Sequence, residues 1–154
     1  LICIPNGAPH CDCCPLSALC RSYAQQSQAM LPVRKKKKAR RQEQRTVWIL
    51  RCGNAYAVCQ RPEEGLLAGL WEFPNQLGNL TEAEAIQQAS AWGCKPVAIE
   101  KTVRKTHIFT HIEWQMFGVY LECEAMPERF VWKTVQELET EITLPTAFRM
   151  FWNA

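Results

Sequence analysis

Residues 69–74 read Gly69-Leu70-Trp71-Glu72-Phe73-Pro74, closing a loop rich in glycine and leucine. Upstream lie two short apolar runs, Thr46-Val47-Trp48-Ile49-Leu50 and Ala55-Tyr56-Ala57-Val58-Cys59, separated by Gly53-Asn54. Two residues that tolerate positive φ between apolar runs predict a β-hairpin. Downstream, Thr81 and Glu84 have the spacing of a capping box, in which the threonine oxygen and the glutamate carboxylate satisfy free amides at a helix start. The helix they open runs to about Trp92 and stops at Gly93. Residues 97–103 predict another strand. Residues 112–123 form the longest strand candidate, with apolar residues at 112, 114 and 116 and then at 117, 119, 121 and 123. That change of phase predicts either a bulge near Gly118 or a strand buried on both faces. Short helices near 135–138 and from Pro145, a residue suited to a helix start, close the chain. The order of strands, helix, strands and helix gives an α+β class, with a mixed, mostly antiparallel sheet and flanking helices.

The chain has 154 residues, enough for one domain or one domain with an appendage. Its 47% hydrophobic and 21% charged residues exclude a disordered or collagen-like polypeptide. No apolar run approaches the roughly 18 residues of a membrane helix, and the opening Leu1-Ile2-Cys3-Ile4 is too short for a secretory signal. The first residue is leucine rather than methionine, which sets the expectation of a piece of a longer protein. Net charge is +3, but residues 34–45 carry eight basic groups and one acid. A slightly acidic body with one concentrated cationic stretch points to a polyanion contact at a single place.

Three regions follow. Residues 1–22 are rich in cysteine and proline. Residues 23–46 form a linker, extended by Pro32 and by repulsion among adjacent lysines. Residues 47–154 form the compact domain. Of nine cysteines, Cys52, Cys59, Cys94 and Cys123 lie in apolar sequence and read as small core residues. The other five cluster in the first 20 residues, a polarised pattern that favours metal ligation over a disulfide scaffold. Cys3, Cys11, Cys14 and Cys20 offer four soft thiolates, which suit zinc and an iron–sulfur cluster equally on spacing alone. Cys13 could replace either neighbour. Cys14 is preferred, because Cys11 and Cys14 keep a two-residue chelate and Pro15 follows.

The cysteine cluster, the basic linker, Gly69-Leu70-Trp71-Glu72-Phe73-Pro74 and Phe109-Thr110-His111 occur in an order that resembles the C-terminal part of MutY-type adenine DNA glycosylases. The resemblance runs from the edge of that family's iron–sulfur loop through a Nudix-like domain. The family's cluster pattern is Cys-x6-Cys-x2-Cys-x5-Cys, and the first gap here is seven. The resemblance implies a 4Fe–4S cluster held by Cys3, Cys11, Cys14 and Cys20. It also implies that Phe109, Thr110 and His111, where the family has Phe-Ser-His, read 8-oxoguanine opposite a mispaired adenine. The implied partners are double-stranded DNA carrying that mispair and an N-terminal catalytic domain of the same chain. The implied state is a monomer without membrane contact, in a bacterial cytoplasm and at the nucleoid when bound to DNA. The parent hydrolyses the adenine N-glycosidic bond in base excision repair; this part alone is expected to be inactive, with no catalytic residue assigned.

Residues 34–41 carry seven cations in eight positions. A solvated connector would explain their charge, but their density favours contact of Arg34, Lys35, Lys36, Lys37, Lys38, Arg40 and Arg41 with DNA phosphates. Leu-Trp-Glu-Phe-Pro also resembles Nudix hydrolases, which follow it with a helix bearing metal-binding glutamates. Aligned on Gly93, this chain has Ile86, Gln87, Ser90 and Ala91 in those places, which argues against magnesium-dependent nucleotide hydrolysis. Trp71 and Phe73 therefore read as packing residues, and His107 as structural. The rival readings are a Nudix hydrolase of oxidised nucleotides with a zinc-binding extension, or a zinc-stabilised interaction domain.

Overall fold

The computed structural model describes residues 2–4, 7–33 and 39–152, which divide into two compact units, Leu1–Ala39 and Arg40–Ala154. The lysine-rich residues 34–38 lie outside the described residues. In the first unit, 3-10 turns at Cys11–Cys13, Ser17–Leu19 and Gln28–Met30 flank the four-residue helix α1 (Arg21–Ala24). The turns close at the cysteines: Cys14 N donates to Cys11 O at 3.1 Å, and Cys20 N donates to Ser17 O at 3.2 Å. Part of the predicted linker is thus turn and helix rather than extended chain. Glutamine and alanine, good helix formers, explain the local coiling.

The second unit is built on one mixed sheet. Its strands are β1 (Arg41–Cys52), β2 (Ala55–Gln60), β3 (Trp71–Glu72), β4 (Asn75–Leu77), β5 (Pro96–Ile108), β6 (Ile112–Cys123) and β7 (Val131–Thr134). The main order is β3-β2-β1-β6-β5, with β4 beside β1 and β7 beside β2. Every pairing among these strands is antiparallel except β1 with β6. The hairpin turn falls at Gly53-Asn54, where Gly53 has φ of 61°. Residues 41–46, predicted as linker, belong to β1, because they pair with Ile112–Phe117 in continuous parallel register. Their polarity hid this: Arg41, Gln42 and Gln44 are exposed, but Glu43 and Arg45 are half-buried and Thr46 is buried.

β1 and β6 are buried on both faces, as a central parallel pair must be when both sides of the sheet are covered. On one face Val47, Ile49, Trp114, Met116 and Tyr120 meet α3 (Val135–Thr140) and α4 (Thr146–Trp152) through Leu138, Phe148 and Phe151. On the other, Trp48, Leu50, Phe117, Val119 and Leu121 meet Ala85 and Ala89 of α2 (Glu82–Ala91). Two alanines one turn apart let that helix approach closely, and Trp48 Nε1 donates to Ala85 O at 2.9 Å. Between Met116 and Phe117 the period of two is unbroken; the apparent phase change is two-sided burial, with no bulge in the pairing at Gly118. The capping box is present, with Thr81 accepting from Glu84 N and Glu84 accepting from Thr81 N. Cys94 and Cys123 are buried, whereas Cys52 and Cys59 are only half-buried, being nearer the ends of β1 and β2.

Gly118 sits under the Phe151 ring; a Cβ built there would lie 2.5 and 2.7 Å from its carbons. Gly118→Ala should therefore destabilise the unit by about 1–3 kcal/mol, the range for overpacking a tight core. A smaller penalty for the same change in a Phe151→Leu background, read from urea midpoints, identifies the ring as the obstacle. Equal penalties would assign the cost elsewhere.

Candidate functional site

β5 and β6 form a long hairpin whose connection is Phe109-Thr110-His111. Phe109 N donates to Ile112 O at 2.8 Å, closing the turn. The Phe109 ring is half-buried, packed edge-on against His107 at 4.6 Å and Trp114 at 4.8 Å between centroids. Thr110 and His111 are exposed. The aromatic residue thus anchors the turn, and the two polar residues present their side chains to solvent. Arg41 N donates to His111 O at 3.1 Å, so the cationic sequence enters the sheet directly beside this loop. Arg40 and Arg41 are exposed there. His107 has the structural role read from the sequence, as a packing partner of Phe109.

Beneath the loop lies a charged platform that sequence reading did not assemble. Trp114 is fully buried, yet the Arg45 guanidinium lies over its ring at 4.3 Å and Arg61 at 5.7 Å. The indole N–H donates to Glu43 Oε2 at 3.1 Å, and Arg45 Nη1 donates to Asn75 Oδ1 at 2.7 Å. Arg61 pairs with Glu72 of the Gly69–Pro74 stretch and donates from Nε to Leu66 O at 2.9 Å. Two arginines and two glutamates balance in a half-buried setting, where an unpaired charge would be costly. Burial alone would raise the Glu43 carboxyl. The hydrogen bond and charge of Arg41, the Arg45 charge and the indole donor reverse this and hold it below the usual carboxylate value. Glu72, an acid inside an aromatic stretch, was the one signal that a cation had to be near.

In the first unit, Cys3, Cys11, Cys14 and Cys20 line one cavity of about 440 Å³, with Tyr23 and Gln28 also in its wall. Cys13 is not part of that lining; its thiol donates to His10 O at 3.4 Å. Burial, then the neighbouring thiols of Cys20, Cys14 and Cys3, push the Cys11 thiol up. Among the described residues, no three His, Cys, Asp or Glu side chains are grouped as a single metal ion requires. One tetrahedral zinc would draw its sulfurs to about 3.8 Å from one another, from a Zn–S bond of about 2.3 Å. Four soft donors around one cavity suit a thiolate-bound metal group by donor type and number. The Gln28 Oε1 atom in the wall is buried without a hydrogen-bond partner.

On α2 the carboxylates Glu82 and Glu84 stand in the first turn, and Glu84 is engaged by Thr81, whose backbone and hydroxyl donors hold it below the ordinary carboxylate range. Ile86 is half-buried; Gln87, Ser90 and Ala91 are exposed along the rest of the helix.

A NUDIX domain matches residues 46–154. The chain belongs to the NUDIX domain family. It is also similar to adenine DNA glycosylases: 28% identical to that of Arabidopsis thaliana over 71% of this chain and 22% of the relative. With the enzyme of Mus musculus it is 26% identical over 97% of this chain and 40% of the relative. The chain thus spans well under half the length of these two relatives. Among solved structures, the C-terminal domain of mouse MUTYH, determined in complex with human PCNA, shares 25% identity and a TM-score of 0.54. That match covers 73% of this chain and 86% of the other. Together these findings support the resemblance to a MutY-type C-terminal fragment with a Nudix fold.

The lowered Glu43 carboxyl makes a pH prediction. A group whose folded value lies below its unfolded one, about 4.3 for glutamate, contributes stability above the unfolded value and loses it as pH falls through the folded one. The urea midpoint of wild type should exceed that of Glu43→Gln by a constant margin above about pH 5, and the margin should shrink as acid is added. A margin independent of pH would remove the carboxylate's ionisation from the platform's stability.

Proposed function

We propose that this chain is the lesion-reading C-terminal part of an adenine DNA glycosylase of base excision repair. The observation that carries the proposal is the similarity to adenine DNA glycosylases along both units, 97% of the chain in the mouse comparison. The parent enzyme flips adenine out of the duplex and hydrolyses its N-glycosidic bond in a separate N-terminal domain. This part contributes discrimination and grip rather than the reacting groups.

The chemistry at the loop follows from the bases. 8-Oxoguanine carries N7–H where guanine has only an acceptor, and an oxygen on C8. The exposed Thr110 hydroxyl can accept from N7–H, and a backbone N–H of the same turn can donate to O8. Phe109 holds the turn from below, and His111 is tied through its carbonyl to Arg41. Arg40 and Arg41, with Arg34 and Lys35, Lys36, Lys37 and Lys38 preceding them in the chain, supply phosphate contacts that add affinity for any duplex. The protein works as a monomer on double-stranded DNA, in a bacterial cytoplasm.

Cys3, Cys11, Cys14 and Cys20 hold a 4Fe–4S cluster in this proposal, supported by their shared cavity and by the exclusion of Cys13 from it. When bound, the cluster supplies four metal–thiolate bonds that fix a segment otherwise poor in regular structure. The domain does not hydrolyse oxidised nucleotides, in keeping with Gln87, Ser90 and Ala91 on α2 and the engagement of Glu84 in the cap.

Two outcomes test this. In the full parent enzyme, Thr110→Val keeps side-chain shape and removes the hydroxyl, so preference for 8-oxoguanine over guanine opposite adenine should fall by about 1–3 kcal/mol. Equal weakening of both duplexes, or magnesium-dependent turnover of 8-oxo-dGTP by this chain, would overturn the lesion-reading role. Anaerobic reconstitution with iron and sulfide should load Cys13→Ser like wild type and fail in Cys11→Ser. Stoichiometric zinc without iron would replace the cluster by a single ion.

A further inference from the structure

α2 covers only part of its side of the sheet. Its partners Trp48, Leu50, Val119 and Leu121 lie in the later halves of β1 and β6. Toward the Phe109–His111 end, the same face carries Gln44, Gln115 and Thr106, side by side in register on β1, β6 and β5. With Asn79, Arg104 and Lys105 they line a polar cavity of about 180 Å³ whose wall contains no carboxylate. The cavity shares Gln44 and Gln115 with a wider groove running to Arg41 and Gln42. The groove's carboxylate, Glu43, is neutralised by ion pairs to Arg41 and Arg45.

Arg104 is the fixed charge of this surface. Its guanidinium lies over the Phe117 ring at 4.8 Å, and Nη1 donates to Asn79 Oδ1 at 3.5 Å. Stacking of this kind pre-orients the guanidinium and leaves donors free for an oxyanion. Amide and hydroxyl groups beside it add neutral donors of the type that meets phosphate and sugar oxygens. A concave wall of amides, a hydroxyl and the Arg104 guanidinium, in a domain whose remaining charge is slightly acidic, selects a negatively charged occupant. Its position says which one. Arg104 lies six positions before Thr110 along β5 and its turn, at most about 20 Å of extended chain. That is about six base steps at roughly 3.4 Å per step along a duplex.

We propose that this groove seats the phosphodiester backbone of the same duplex whose lesion is read by Thr110, with Arg104 on a phosphate and Gln44 and Gln115 donating beside it. The proposal rests on the DNA reading above and adds to it a second contact, remote from the lesion and blind to it. It distinguishes two kinds of residue on one hairpin: base-reading at the turn, backbone-holding at Arg104, six residues before Thr110.

The test is fluorescence anisotropy with the full chain, using short duplexes with 8-oxoguanine or guanine opposite adenine, over a series of salt concentrations. Arg104→Gln should weaken both duplexes by the same factor and flatten the salt slope by about 0.9, the value for one phosphate contact. Arg104→Lys should restore the slope. Gln44→Ala with Gln115→Ala should weaken both duplexes with the slope unchanged, since no charge is lost. If wild type binds and Thr110→Val loses discrimination while Arg104→Gln and the double glutamine variant change nothing, the groove is not a backbone contact and the lesion reading stands. If wild type binds neither duplex, the DNA reading itself fails and this proposal falls with it.

Discussion

The parallel pairing of β1 with β6 is the constraint on which the second unit depends. Parallel neighbours cannot be joined by a tight turn, so the chain between them must cross over, and here that crossover carries the Gly69–Pro74 loop, α2 and β5. The pair must also be covered on both faces, which is why α2 lies on one side and α3 with α4 on the other. A third consequence is functional. Parallel strands begin at the same end of a sheet, so the point where the cationic segment enters β1 coincides with the turn that starts β6. The hydrogen bond from Arg41 N to His111 O is that coincidence expressed in atoms.

The Trp114 platform translates this topology into rigidity at the loop. Trp114 is a core residue by burial, but its exposed-side neighbours are Arg45, Arg61, Glu43 and Phe109, contributed by β1, the segment after β2 and the β5–β6 turn. Removing either carboxylate would leave an arginine half-buried and underpaired, so the balance of the set is a structural requirement. The Gly69–Pro74 stretch enters the same set through Glu72, and its Phe73 is fully buried in the core below. Thr46 performs the corresponding task on the opposite face: fully buried, it donates to Gly78 O at 2.9 Å and accepts from Leu80 N at 3.0 Å, fixing the approach to α2.

Local signals were legible in the sequence wherever one element carried its own evidence. Gly53-Asn54, the Thr81–Glu84 box and the strand at residues 112–123 all appear in the structure where the residues put them. What sequence reading missed was set by tertiary contact. Residues 41–46 look like a charged linker because they are all polar, although their backbone pairs with β6 and the Glu43, Arg45 and Thr46 side chains are wholly or partly buried. Met116 and Phe117 look like a slip in phase because periodicity cannot distinguish a bulge from a strand covered twice. The platform joins residues 43, 45, 61, 72 and 114, far apart in sequence, and no spacing rule brings them together. The cysteines are the intermediate case: their clustering was plain, but the separation of Cys13 from Cys14 needed the turn that sends one thiol toward His10 O.

α2 shows how one helix can keep a fold while its polar positions are put to other use. In a hydrolase of this fold the helix must present several carboxylates to metal ions, and their mutual repulsion opposes folding until the metal arrives. Here the buried face is Ala85 and Ala89, pinned by Trp48, and the Glu84 carboxylate satisfies the helix's own first amides. Each of these features stabilises the helix without a ligand. The same relief from carboxylates extends along the sheet, where Gln44, Gln115 and Arg104 stand on the side that α2 leaves open. Acidic residues at 86, 87, 90 and 91 would add negative charge beside that surface; the uncharged side chains there leave only Glu82 and Glu84 of the first turn to oppose a polyanion.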